Sequence, residues 1–196
     1  MKLDYLKPFE EEINRRLGEL PGGGRLIIAI DGHAASGKTT AGNYLAERYE
    51  GNVIHMDDFF LPFAMRSTER METPGENIHW ERFMEEVWKP LSAGEAFAYR
   101  RFDCQSGDYG ACHRFSPAAV NIIEGAYSMR PGYIKYDIGV FFESDSEIQL
   151  DRVLRRSGPA KLEEFRNRFI PMENRYIELY DIKGHAEFSF DTSAFF

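Results

Sequence analysis

Positive charge, cysteine and long apolar runs are what this sequence has least of, and each shortage removes a class of function. Across 196 residues, 24 Lys and Arg stand against 32 Asp and Glu, a net charge of −8 at pH 7. A general binder of nucleic-acid backbones needs a basic surface, so that class is excluded and any basic cluster is expected to serve a small anion. The longest apolar run, Leu26-Ile27-Ile28-Ala29-Ile30, has the length of one buried strand. A membrane helix needs roughly 20 such residues. The start, Met1-Lys2-Leu3-Asp4, lacks the apolar segment of a signal peptide. The expected setting is therefore the cytoplasm, with neither membrane nor nucleic acid as partner. The two cysteines, Cys104 and Cys112, flank a Gly-containing turn, match no metal-ligand spacing and read as reduced thiols paired across two strands.

What remains is a hydrophobic fraction of 43%, enough for a core, in a chain of single-domain length, residues 1–196. Its organising stretch is Asp31-Gly32-His33-Ala34-Ala35-Ser36-Gly37-Lys38-Thr39-Thr40, entered from the apolar run 26–30 and followed by helix formers. Gly, four free positions, then Gly-Lys-Thr is the P-loop pattern. Glycines let backbone N–H groups turn inward around an anion, and the following helix presents its positive end. Gly32, Ala35, Ser36, Gly37, Lys38, Thr39 and Thr40 are thus the expected cradle for the triphosphate of ATP or GTP. Lys38 would reach the β- and γ-phosphates, and the Thr39 hydroxyl would take one Mg²⁺ position.

Around this loop the chain alternates. Leu3, Leu6, Phe9, Ile13, Leu17 and Leu20 predict an amphipathic helix over 3–20, ended by Pro21-Gly22-Gly23-Gly24. Strands are expected at 26–30, 52–56, 119–123, 138–142 and 185–190. Helices are expected after the P-loop, from Trp80 to Leu91, over 145–156, and over 160–182 beyond the Ser157-Gly158-Pro159 break. A hairpin insertion is expected over 96–116, with strands 97–104 and 111–115, and 59–77 has no clear period. Strands alternating with helices predict an α/β fold, a five-stranded parallel sheet with helices on both faces, whose ligands bind at the carboxyl ends of the strands.

Phosphoryl transfer needs a metal, charge compensation and a group that accepts the proton of the attacking hydroxyl. Asp57, closing the second strand, is the candidate base, whereas Asp58 points the other way if strand alternation persists. Glu124, emerging from Val120-Asn121-Ile122-Ile123 before Gly125, is the candidate partner of Mg²⁺. Arg152, Arg155 and Arg156 fall at i, i+3 and i+4, on one helix face, and would grip phosphate from a lid region at 152–168. Arg130, just past the Glu-Gly strand end, could face the acceptor.

Taken together, Gly32 to Thr40, His55-Met56-Asp57-Asp58-Phe59-Phe60-Leu61-Pro62, Arg101-Phe102-Asp103-Cys104, Ile123-Glu124-Gly125 and the Arg152–Arg156 cluster resemble the uridine kinase-like branch of P-loop small-molecule kinases. That group includes nicotinamide riboside kinases and is similar to phosphoribulokinase and pantothenate kinase. The resemblance spans residues 25–190. It implies an enzyme that phosphorylates the primary hydroxyl of a nucleoside, with Asp57 deprotonating that hydroxyl, Glu124 serving Mg²⁺ and lid arginines gripping phosphates. It also implies substrate contacts at His79, where relatives place an aspartate that grips ribose hydroxyls, and at Phe102 and Asp103 of the hairpin, where pyrimidine kinases carry an aromatic hydroxyl in place of Phe102. The run from Phe169 to Tyr176 resembles a late helical signature of the branch. Another hydroxyl metabolite, such as nicotinamide riboside or pantothenate, is the alternative acceptor, and a homo-oligomer is compatible with the sequence. A nucleotide-dependent switch or ATPase is the competing class. Against it, no Asn-Lys-x-Asp guanine-reading motif is present, and Asp181-Ile182-Lys183-Gly184 lies too late to serve as a switch.

Overall fold

Five parallel strands frame the molecule. The computed structural model describes residues 3–104 and 106–195. Met1 and Lys2 of the start read above and Gln105 of the hairpin turn lie outside the described residues, as does Phe196. The strands are β1 (Leu26–Gly32), β2 (Asn52–His55), β5 (Val120–Glu124), β6 (Ile138–Glu143) and β7 (Phe188–Asp191), in the order β2-β5-β1-β6-β7. β3 (Phe97–Asp103) and β4 (Asp108–Phe115) form a separate antiparallel hairpin. Every residue of β1 and β5 is buried, as expected for central parallel strands covered on both faces. From β1 the chain crosses to one side of the sheet and from β5 to the other, so the crevice at their carboxyl ends is a topological switch point. The register sets Ile30 against Glu124 and Gly32 against Phe142, which brings the P-loop entrance beside the end of β5.

Alternation along the strands divides the core. Ile28, Ile30, Ile122, Val140 and Phe142 pack under Leu6, Phe9 and Ile13 and under Ala41 and Leu45 of α2 (Lys38–Arg48). The apolar stripe at the N-terminus forms a 3₁₀ turn, Asp4–Leu6, and then α1 (Lys7–Glu19). On the opposite face Ile27, Ala29, Ile123 and Phe141 pack against Trp80, Phe83, Tyr127 and Tyr176.

Three departures from the expected elements have physical causes. β2 stops at His55, because Met56–Phe59 turns into a 3₁₀ helix, so strand alternation no longer governs Asp57 and Asp58. Short elements fill the stretch expected to be irregular: a 3₁₀ turn at Phe63–Met65, α3 (Thr68–Glu72) and an isolated bridge between Phe60 and Ile78. Finally, the helices expected over 80–91 and 160–182 each contain a π turn, just before Pro90 and Pro171. A π turn, Met84–Trp88, joins α4 (Trp80–Phe83) to α5 (Lys89–Ala93), and another, Phe165–Phe169, joins α6 (Ser146–Glu164) to α7 (Ile170–Leu179). Each proline lies in the first turn after the widened one, where its missing N–H is tolerated. The break expected at Gly158 is present within α6 as a single residue at φ 81° and ψ 172°.

The cysteines are corrected. Both are exposed free thiols, Cys112 standing opposite Arg100 in the hairpin register while Cys104 lies beyond the end of β3, near the Arg66 guanidinium.

Candidate active site

The P-loop geometry follows from two backbone demands. At Gly32 the φ is +129°, and a Cβ there would fall 1.9 Å from the Phe142 carbonyl oxygen, so only glycine permits β6 to approach this closely. At Gly37 the chain turns through φ 96° to start α2, with Ala35 also left-handed at φ 56°. The first-turn N–H groups of α2 have no intrahelical partner and face the same opening as the helix dipole. Lys38, itself buried, holds the loop from inside by donating from Nζ to the carbonyls of Gly32, 2.8 Å, and His33, 2.7 Å.

Residues 34–40 line one cavity of about 500 Å³ together with Asp57, Phe60, Asn77, Glu124, Tyr127, Arg152, Arg156 and Glu173. Phosphate fits this cradle on the chain's own terms. Ser36 is fully buried, yet its Oγ has no partner among the described residues, and Lys38, Arg152 and Arg156 supply three cations.

Asp57 projects from the 3₁₀ turn into the throat of the cavity, open to solvent yet surrounded by protein. Its carboxyl is held above the ordinary range, chiefly by desolvation and then by the charge of Glu124, with Lys38 and Arg156 pulling it down. Asp58 is buried and turned to the hairpin, where it accepts from Tyr99 Oη at 3.0 Å and pairs with Arg101 at 3.1 Å. Thus the two acids have opposite duties, one facing ligand space and one anchoring β3.

Glu124 is buried at the end of β5 and accepts from Thr39 Oγ1 at 3.2 Å, while its other oxygen touches His55 Nδ1. That contact raises the His55 pKa, against the opposing effect of burial. Gly42 on α2 leaves room for this carboxylate, since a Cβ there would lie 3.1 Å from Glu124 Cγ. Thr39 and Glu124 together offer the hard oxygen donors that suit Mg²⁺, an ion held by one or two carboxylates plus phosphate. No cluster of three or more His, Cys, Asp or Glu that could hold a metal occurs among the described residues.

The three arginines of α6 separate. Arg152 and Arg156 line the cavity, whereas Arg155 is exposed and paired with Asp151 at 2.8 Å. Arg152 is tied down: it donates to Thr192 O at 2.6 Å, to Thr192 Oγ1 at 3.1 Å and to Ala35 O at 3.3 Å, and Thr192 Oγ1 in turn donates to Ser36 O at 2.9 Å. Burial lowers its pKa. A 100° rotation per residue explains why two neighbours of one cluster look in different directions.

Four expected substrate residues are not brought to the cavity wall, and each has another occupation. His79 caps α4, accepting from Arg82 N at 3.2 Å through Nδ1. Phe102 is buried between Phe63 and Tyr109 in the hairpin core. Asp103 stands opposite Asp108 in the backbone register at the exposed hairpin end, away from the cavity lining. Arg130 is committed to Glu76 at 3.2 Å and stacks its guanidinium over Tyr180, 4.0 Å from the ring centroid.

In their place stand residues that the sequence reading did not assign. Asn77 lines the cavity, and so does Glu173, which accepts from Ala34 N at 2.9 Å. One turn on, Tyr176 Oη donates at 2.8 Å to Asp31 Oδ2, which also accepts from Met129 N at 2.9 Å. The late signature is therefore a clamp, with Glu173 and Tyr176, three apart on one face of α7, fastening that helix to both ends of the P-loop entrance. Their i, i+3 spacing was the available signal. Burial raises the Glu173 pKa to about 7, with Asp57 and Asp31 adding to the rise and Lys38 and the Ala34 N–H opposing it.

No family model matches the chain. A uridine kinase of Staphylococcus haemolyticus is 26% identical over 171 residues, 78% of this chain and 81% of that protein. A "possible uridine kinase" from Bacillus stearothermophilus superposes with a TM-score of 0.69 at 23% identity, covering 95% of this chain and all of the other. A D-glycerate 3-kinase from Cryptococcus neoformans superposes with a TM-score of 0.55 at 14% identity over 76% of this chain and 78% of that one.

Proposed function

We propose that this chain, a uridine kinase-like P-loop kinase, transfers the γ-phosphoryl group of ATP or GTP to the primary hydroxyl of a nucleoside. One observation carries the reading: the P-loop with Lys38 and the carboxylate of Asp57 line the same cavity of about 500 Å³. That arrangement lets donor phosphate and acceptor alcohol meet in line.

In this reading the acceptor oxygen bonds to the γ-phosphorus as the bond from that phosphorus to the β,γ-bridging oxygen breaks. The hydroxyl proton passes to Asp57, whose raised pKa makes it a better proton acceptor than an ordinary surface carboxylate. Lys38 and the loop amides bear the β- and γ-oxygens. Arg156 compensates charge from across the cavity, and Arg152 secures the loop through Ala35 and Thr192. Thr39 and Glu124 would hold Mg²⁺, which when bound neutralises phosphate charge.

A second reading, transfer to another hydroxyl metabolite such as nicotinamide riboside or pantothenate, is favoured by one fact: His79 and Phe102 are occupied elsewhere. The deciding experiment measures nucleoside diphosphate release, ADP from ATP and GDP from GTP, alone and with a nucleoside panel. Acceptor-dependent release supports the kinase, and equal release without any acceptor would overturn it in favour of an ATPase or switch.

A further inference from the structure

Asp57 has no contact of its own to aim it. Among the described residues its carboxylate makes no hydrogen bond or ion pair, and the 3₁₀ turn that carries it, Met56–Phe59, has no side-chain cap. The charges of Glu124, Lys38 and Arg156 act on it, but they set its proton affinity and not the direction of its Cα–Cβ bond. That direction is a backbone matter.

The backbone is held at the next residue, where three consecutive residues of β3 converge on Asp58. Tyr99 Oη donates to Asp58 Oδ2 at 3.0 Å, and Arg101 Nε lies 3.1 Å from Oδ1, so each carboxylate oxygen has its own partner. Between them the Arg100 carbonyl shares the Nη2 group of Arg82 with the Asp58 carbonyl, at 2.8 Å and 3.1 Å. Arg82 is itself fixed. Its side chain is 9% exposed, its Nε donates to Glu86 at 3.1 Å, and its guanidinium lies 4.3 Å from the centre of the Phe59 ring and 4.9 Å from that of Tyr109.

Attachment of the hairpin does not require this arrangement. Phe59 already packs on Tyr99 at 4.8 Å and on Phe83 at 5.2 Å, which joins β3, the turn and α4 through apolar contact. A carboxylate only 4% exposed is expensive to bury, and its ion pair returns little net stability. What the polar contacts add is a fixed orientation of the turn, one residue from Asp57.

Resting on the kinase reading above, we propose that Asp58 and Arg82 are positioning residues: they lock the turn against β3 so that the Asp57 carboxylate points at the acceptor hydroxyl. Neither lines the cavity, so both act only through Asp57. A displacement of about 1 Å at a reacting group costs about 10²-fold in rate.

The test uses the full chain with Mg·ATP and the fastest acceptor among uridine, cytidine, nicotinamide riboside and pantothenate, read as acceptor-dependent ADP release. Asp58→Ala should lower kcat about 10²-fold while the KM for ATP stays within about twofold, because the P-loop is untouched. Asp58→Asn, which can still accept from Tyr99, should lose about tenfold. Arg82→Lys keeps the charge but cannot bridge two carbonyls while lying flat between two rings, and should also lose about tenfold. The decisive comparison is made in Asp57→Asn. A loss of folded protein multiplies whatever activity remains, whereas a positioning residue has nothing left to aim once Asp57 is gone. Asp57→Asn combined with Asp58→Ala should therefore turn over within about twofold of Asp57→Asn alone. If Asp58→Ala does not fold, Tyr99→Phe should lose about fivefold and show the same non-additivity.

An unmoved kcat in Asp58→Ala, with only the Tm lowered, would make Asp58 a mere anchor of the hairpin and overturn this inference while the kinase reading stands. A double variant that loses the full product of the two single effects would overturn it as well. ADP release from the unmodified chain that no acceptor raises would overturn both.

Discussion

The two sides of the cavity were made by different means. The phosphate side is a contiguous stretch, residues 34–40, in which backbone amides act and the side chains that matter are few. In the proposed reading the acceptor faces Asp57 and the lining residues Asn77, Tyr127 and Glu173, separated by up to 116 positions and carried by a 3₁₀ turn, two loops and a helix. A backbone cradle leaves a motif because its geometry must be encoded locally. A wall of side chains leaves none, because any element can deliver one group. It follows that the phosphate side should be intolerant of change and the acceptor side adjustable.

The largest effect expected is at the meeting point. Asp57→Asn should keep nucleotide binding and the fold while turnover falls by about 10²–10⁴, measured by acceptor-dependent ADP release. Unchanged turnover would remove Asp57 from its role. Next, Arg156→Ala should lower kcat by about 10², since it deletes a preorganised cation at the reacting phosphoryl group, with little change in acceptor KM. Should the acceptor KM carry the loss instead, the division into two sides would fail.

Stability gives a milder contrast. Tyr176→Phe removes the hydroxyl that clamps Asp31 and should cost about 1 kcal/mol, seen as a Tm drop of about 2–4 °C. Glu173 gives this clamp a pH dependence. Its folded pKa of about 7 lies above the ordinary 4.5, so the folded state binds the extra proton and stability falls as pH rises from about 4.5 to about 7. Glu173→Gln should flatten that part of the Tm profile, and an unaltered slope would assign it to other groups. Smallest of all, Arg155→Ala should leave turnover alone and shift stability by less than about 0.5 kcal/mol, because Arg155 and its partner Asp151 form an exposed surface pair.

The same contrast explains what could be read in advance. The parallel sheet was legible because β1, β5 and β6 are apolar runs bounded by turn residues, and the P-loop because Gly32 and Gly37 answer steric demands that only certain residues meet. Arg155 was grouped with Arg152 and Arg156 because spacing fixes a helix face but not which flank of it meets the ligand. His79 and Phe102 were expected at the substrate because the resemblance aligns them with substrate-contacting positions of relatives; in the structure local capping holds one and hairpin packing the other. Asn77 sat in a stretch without periodicity, where nothing short of tertiary structure reveals direction.

Gly42 carries a further consequence. Alanine there would suit an α-helix better by about 1 kcal/mol, yet its methyl would press on the Glu124 side chain 3.1 Å away. The helix is left softer than its sequence could make it, and the slack is passed to the buried carboxylate of Glu124. A laboratory search for heat resistance that fills this notch would be expected to harden the scaffold and disturb the Thr39–Glu124 contact in one step.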